Sequence, residues 1–261
     1  MTNTRQQDVP SSEGGSQRAQ KLAPFAFRFF TMGFWLAIPV ALYLLQGRVD
    51  LFAQPTNMEQ VVTLASRATF EIKCDTEWTG AGWGLELAGE YYLITAAHVV
   101  EDCQFGEFIG ARSQTTSIFK LELVVYLENY WSTAYGTTDL ALLKSSQRIP
   151  TLRFQSERAR VGQWVMAAGF PLEEDSGPLL NVNEGRITGF DRNNHLVTDA
   201  PINGGMSGGP LINARGEVVG TVYAGDPIDE YDNLGYVQPL FEHCGVVLAC
   251  VEGMPRYELA E

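Results

Sequence analysis

Short apolar or alternating runs recur along most of the chain, at Thr69–Cys74, 82–87, 91–95, 118–126, 140–144, Trp164–Gly169, 185–189, Leu196–Thr198, Pro210–Asn213, 218–224 and 234–237. Gly, Asp and Asn separate most of them. Runs of this length between turn-forming residues predict β-strands, and many short strands in succession predict an all-β, barrel-based domain. Residues 58–68 break the rhythm with a helical pattern and predict one helix at the start of the domain. A polar stretch over 145–162, bearing Pro150, predicts the connection between two halves, and Asn213-Ala214-Arg215-Gly216 predicts a hairpin turn.

Residues 29–45 form an uncharged apolar run ahead of all these elements. As a helix it would span about 26 Å, the short end of a bilayer crossing. Arg5, Arg18, Lys21 and Arg28 precede it while only Arg48 follows closely, so the positive-inside rule predicts a cytoplasmic tail over 1–28 and export of the rest. Residues 1–20 are polar and without apolar periodicity, the composition of an unfolded tail. The competing reading is a cleaved signal peptide ending near Leu51-Phe52-Ala53; Arg48, Asp50 and the long lead before the apolar run speak against it. Either reading exports the domain, and a single-pass anchor at the cell membrane is the expectation.

The densest chemical signal is Gly205-Met206-Ser207-Gly208-Gly209-Pro210. A serine hydroxyl is a poor nucleophile until an imidazole takes its proton, and His98 upstream is suited to that task. A desolvated carboxylate on the other ring nitrogen fixes the tautomer and stabilises the imidazolium, which Asp139, opening an apolar strand, would supply. Glycines let backbone N–H groups of Gly205 and Ser207 converge as an oxyanion hole, where one donor is worth roughly 3 to 4 kcal/mol. Singly, His98 reads equally as a structural histidine and Asp139 as a helix cap. Together, in the order His98, Asp139, Ser207, they read as a catalytic triad. His195, in a polar turn, and His243, beside Cys244, are expected to be structural or exposed.

The segments Thr95-Ala96-Ala97-His98, Asp139-Leu140-Ala141-Leu142-Leu143, Ala200 through Leu211, and Gly216-Glu217-Val218-Val219-Gly220 resemble the trypsin-like peptidase domain of bacterial HtrA-type serine proteases, over about residues 60 to 242. The resemblance implies two six-stranded antiparallel β-barrels, at about 60–145 and 160–245 of a domain spanning 58–250, with the site between them. It implies a serine endopeptidase acting on proteins or peptides through an acyl-enzyme, without a cofactor. It also implies that Thr221, Val222, Tyr223, Ala224 and Gly225 pair with substrate and wall its primary pocket, with Gly235 at the back. HtrA-like homo-oligomers are left open.

Three departures stand out. Met206 occupies a position that is often Asn or Asp, so activation through an ion pair with a new N-terminus is not expected. The residues after Ser207 suffice to finish a second barrel, so no PDZ domain, and no capture of substrate C-termini by it, is expected. His98 and Asp139 lie 41 positions apart, long for an HtrA-type domain, and residues 119–135 are expected to hold an enlarged loop.

Composition narrows the setting. The chain has 18 Lys and Arg against 31 Asp and Glu, a net charge of -13, with the acidic excess beyond residue 50. That argues against nucleic acid as a partner, whose binding needs a basic face. Four cysteines permit three pairings, of which Cys74 with Cys103 and Cys244 with Cys250 are the expected disulfides and four buried thiols the alternative. Neither pair has zinc-knuckle spacing, so no metal is expected. Val222 and Thr221 favour a pocket for an aliphatic residue, whereas Asp226, Asp229, Glu230 and Asp232 would favour Lys or Arg. The rival function is a non-catalytic protease-fold module that binds peptides or a partner protein.

Overall fold

The structure is a computed structural model that describes residues 54–75, 77–103, 109–129, 138–171, 179–225, 234–244, 248–251 and 254–259. The anchor expected at 29–45 and the acidic loop over 226–232 lie outside the described residues. Among the described residues no helix is long and apolar enough to cross a membrane.

The domain opens with α1 (Met58–Ala68). The Asn57 side chain accepts from the Gln60 N–H at 3.1 Å, capping its first turn, and Val61, Ala65 and Ala68 bury the stripe expected of an amphipathic helix. The chain then runs directly into β1 (Thr69–Cys74), followed by β2 (Glu77–Leu87), β3 (Glu90–Thr95), β4 (Ile109–Arg112), β5 (Phe119–Asn129) and β6 (Thr138–Ser145). These six close into an antiparallel barrel in the order β1-β2-β3-β6-β5-β4, with β4 sealing against β1. The seam is supported by an ion pair between Arg112 Nε and Glu71 at 2.7 Å.

The connection carries β7 (Arg153–Phe154), and the second half holds β8 (Trp164–Gly169), β9 (Asn181–Phe190), β10 (Leu196–Thr198), β11 (Pro210–Asn213), β12 (Glu217–Gly225) and β13 (Gly235–Pro239). β8, β9, β10, β13, β12 and β11 form the second closed antiparallel ring, because β11 pairs with both β8 and β12. β7 adds to its β12 edge in parallel. The hairpin expected after β11 is present: Gly216, at φ 77°, donates to the Asn213 carbonyl at 2.9 Å, and the Asn213 side chain accepts from Arg215 and Glu217. A last pair, β14 (Leu248–Val251) and β15 (Met254–Leu259), follows.

The strand expected over 118–126 is β5, whose bulge between Leu123 and Val125 lets it follow the barrel's curvature; residues 130–135 of the stretch expected to hold an enlarged loop lie outside the described residues. One point of the sequence reading is corrected. The polar connection between the barrels contains a strand, since Phe154 is buried while Arg153 is exposed and the pair adds to an open edge.

The barrels share a core. Trp83, Leu85, Ile94, Leu140 and Leu142 of the first pack into one buried cluster with Trp164, Met166, Ile212 and Val218 of the second. A polar thread crosses it. The Trp83 indole N–H donates to Thr221 Oγ1 at 3.0 Å, the Thr221 hydroxyl lies 2.9 Å from His243 Nε2, and His243 Nδ1 lies 3.1 Å from the Pro239 carbonyl. This chain is satisfied by one arrangement: His243 neutral, with its proton on Nδ1, donating to Pro239 and accepting from Thr221. His243 is therefore a buried structural residue.

Burial lowers the His243 pKa from 6.5 to about 4. The unfolded chain thus binds a proton that the folded chain rejects between these values, so stability is full above pH 6.5 and declines as pH falls toward 4. A shift of this size corresponds to about 3 kcal/mol. In urea unfolding, the wild type is expected to lose about that much more stability between pH 7.5 and pH 4.5 than the His243→Gln variant does.

Candidate active site

β3 ends at Thr95 and the chain enters a 3-10 segment, Ala97–Cys103, that carries His98. Cys103 at its end is bonded to Cys74 at the end of β1, so a disulfide ties the segment to the barrel wall. Cys244 is likewise disulfide-bonded, while the side chain of Cys250 lies outside the described ones. Asp139 is the second residue of β6 and is 2% exposed. Its Oδ1 accepts the His98 backbone N–H at 2.9 Å and its Oδ2 lies 2.5 Å from His98 Nδ1. One carboxylate thus grips both the main chain and the ring, holding the proton on Nδ1 and leaving Nε2 as the acceptor nitrogen. The His98 side chain remains 30% exposed, so it meets the surface while its partner does not.

Ser207 lies in the second of two successive tight turns. The Met206 N–H donates to the Asn203 carbonyl at 3.0 Å with Gly205 at φ 87°, and the Gly209 N–H donates to the Met206 carbonyl at 3.0 Å with Gly208 at φ 84°. A positive φ at the third position of a turn is the type II geometry that glycine accommodates. The turns are clamped from both barrels. From the first, the Ala81 N–H donates to the Ser207 carbonyl at 2.8 Å; from the second, the Val222 carbonyl accepts from Gly208 at 2.6 Å and its N–H donates to the Gly209 carbonyl at 2.9 Å. The Ser207 hydroxyl donates to the Tyr223 carbonyl at 3.3 Å. A Cβ on Gly208 would stand 2.0 Å from the Ala81 carbonyl, 2.2 Å from Thr95 Oγ1 and 3.0 Å from the Ala96 nitrogen. The serine turn is therefore wedged against the residues that lead into His98.

The trypsin-like peptidase domain model matches residues 80–220, a span that contains His98, Asp139 and Ser207. The chain belongs to this family. It is 36% identical over 147 residues to the "Probable periplasmic serine endoprotease DegP-like" of Pseudomonas putida, a match covering 53% of this chain and 28% of that protein. A protein of the same name from Chlamydia pneumoniae is 33% identical over 153 residues, again covering 53% of this chain and 28% of the relative. The chain thus spans under a third of the length of these curated relatives. Among solved structures, the serine endoprotease from Yersinia pestis is similar with a TM-score of 0.57 and 28% identity, over 72% of this chain and 64% of that one.

Within the peptidase domain, the residues expected to line a substrate strand separate into two groups. Val222 and Tyr223 carry the main-chain contacts to the serine turn, and the backbones of Ala224 and Gly225 pair with Tyr236 and Gly235 on β13. Thr221 is fully buried and its hydroxyl is committed to Trp83 and His243, so its side chain belongs to the inter-barrel core. Gly235 is covered by Ile202, whose Cγ1 lies 2.2 Å from where a Cβ on Gly235 would stand. Ile202, five residues before Ser207, was not singled out from the sequence. Met206 is fully buried, accepts through its sulfur from the Asn203 N–H at 3.5 Å and from Asn183 Nδ2 at 3.7 Å, and packs so tightly that a Cβ on Gly169 would come 2.7 Å from its Cα.

Gly208→Ala combines a strained φ with two contacts near 2 Å against backbone and a buried hydroxyl. It is expected to cost about 4 kcal/mol or more, at the severe end of single substitutions, as measured by urea unfolding. Gly189→Ala, which would meet nothing within 4 Å, is the control and is expected to change little.

Proposed function

We propose that the chain is a serine endopeptidase that cleaves proteins or peptides through an acyl-enzyme. The observation that carries the reading is the double grip of buried Asp139 on His98, in a chain whose serine turn is wedged against Thr95 and Ala96 just ahead of that histidine. In this mechanism Ser207 Oγ attacks the scissile carbonyl carbon as His98 Nε2 takes its proton, giving a tetrahedral oxyanion. The N–H groups of Gly205 and Ser207 stabilise that charge. Collapse breaks the C–N bond, and His98 returns the proton to the departing amine. Water, deprotonated by the same histidine, then releases the acyl group and restores Ser207.

Charge and cysteine usage support the setting. Bonded cysteines at 74, 103 and 244 fit an oxidising compartment, and the relatives' printed names place them in the periplasm. With the apolar run at 29–45 and its flanking basic residues, we read the peptidase domain as extracytoplasmic and tethered by a single N-terminal span. Ile202, partly exposed over Gly235, favours an aliphatic residue on the acyl side of the scissile bond. Self-association into homo-oligomers belongs to the same reading and is decided by light scattering.

The test is fluorophosphonate labelling and casein hydrolysis by the full chain. Labelling is expected for the wild type and absent in Ser207→Ala. Asp139→Asn, which leaves the shape but upsets the tautomer, is expected to lower kcat by about 10⁴-fold. A folded wild type that neither labels nor cuts casein would instead favour a peptide-binding module without catalysis.

A further inference from the structure

The two N–H groups read above as the oxyanion hole belong to Gly205 and Ser207, one residue apart on either side of Met206. Their mutual angle is therefore set by the backbone of Gly205 and Met206. Downstream of the nucleophile, main-chain bonds from Ala81 and Val222 clamp the turn. Upstream, the loop runs along the surface, with Pro201, Asn203 and Gly204 exposed. Gly205 has no side chain to anchor it, so the anchorage of this half falls to Met206.

That anchorage is polar as well as apolar. The Met206 sulfur accepts from the Asn203 N–H at 3.5 Å and from Asn183 Nδ2 at 3.7 Å, while the Met206 N–H donates to the Asn203 carbonyl at 3.0 Å. Asn203 and Met206 are thus joined in both directions, main chain to main chain and main chain to sulfur. Asn183 is partly buried on β9, opposite Ala167 of β8, and its Nδ2 also donates to the Pro201 carbonyl at 2.8 Å. The valences match: the amide has two protons for two acceptors, and the thioether has two lone pairs for two donors. The bond that closes the turn shapes it, and Ile202 rests over Gly235 on β13. Neither of these ties the loop to β9, which the Asn183 amide does at both ends of the turn.

We propose that Asn183 and the Met206 thioether are positioning residues for the oxyanion hole, a clip from β9 that sets the Gly205 N–H against that of Ser207. The proposal rests on the peptidase reading above. Neither side chain touches the reacting bond. The oxyanion exists only after attack, so a clip that aims its donors acts on the transition state and leaves substrate binding alone.

The experiment uses the full chain with Asn183→Ala, Asn183→Asp, Met206→Leu and the Asn183→Ala/Met206→Leu double variant. Asn183→Asp keeps the shape and removes both donated protons, and Met206→Leu keeps the apolar volume and removes the acceptor. Each is followed by kcat and KM separately on fluorescein-labelled casein, by the rate of fluorophosphonate labelling, and by the thermal unfolding midpoint. The single variants are expected to lower kcat and the labelling rate roughly 10- to 100-fold at unchanged KM, as for a reacting group displaced by about 1 Å, with folded protein at the assay temperature. The double variant is expected to lose no more than the more impaired single one, because both changes break the same clip. Unchanged kcat in Asn183→Asp or in folded Met206→Leu, a rise in KM alone, or losses that merely track the unfolded fraction would each overturn the clip. Should Met206→Leu not fold, the two variants of partly buried Asn183 decide the matter. Wild type that fails to label at Ser207 would overturn the peptidase reading and the clip with it, whereas labelled wild type with an indifferent Asn183→Asp removes the clip alone.

Discussion

The wedge of the serine turn between the barrels is the constraint on which the rest of the structure depends. Gly208 has no room for a Cβ on its first-barrel side, and its N–H is held by Val222 of the second barrel at 2.6 Å. Neither barrel alone can define this geometry. Each supplies a main-chain partner to the same short loop, so the position of Ser207 is a property of barrel closure. The cost of the arrangement is two glycines in left-handed backbone, Gly205 and Gly208, a conformation that most side chains would oppose.

Closure in turn needs an interface that permits one register. The mixed apolar cluster supplies most of the driving force, but apolar contacts are tolerant of sliding. The thread from Trp83 through Thr221 and His243 to Pro239 is not, because sliding would break a chain of directional, buried hydrogen bonds. Thr221 is one residue before Val222, which clamps the serine turn, so the thread fixes the same stretch of β12 that the site uses. Specificity of packing and geometry of the site are therefore enforced over adjacent residues.

Much of this was legible in the chain. The bounds of α1, β1, β8, β10 and β11 coincide with the runs that predict them: β8, β10 and β11 are short, largely buried segments set off by turn residues, and α1 and β1 meet where the helical pattern gives way to the strand pattern at Ala68 and Thr69. His98 and Asp139 are brought together as their order and residue types imply, and Cys74 bonds to Cys103. What escaped was set by tertiary context. β4 reads as a weak strand, since Ile109-Gly110-Ala111-Arg112 carries little β-propensity and is fixed by pairing to both β1 and β5. β7 is two residues long and exists because β12 offers an edge. The burial of His195 had no local signal, since Asp191 to Asn194 before it are polar, and that of His243 is set by the distant Thr221 on β12.

The state of Met206 bears on how such a site is switched. Where a charged side chain occupies that position, its partner can arrive late and order the loop. Here the side chain is fully buried, its sulfur engaged by Asn203 and Asn183 and its backbone pressed onto Gly169. The turn at Gly205 is thus held by apolar packing that forms with the second barrel itself, and by a backbone hydrogen bond from Met206 to Asn203. An order that comes from the core needs no new N-terminus to create it. Control over the site would then act on groups outside that core, such as the Tyr223 carbonyl that accepts from the Ser207 hydroxyl.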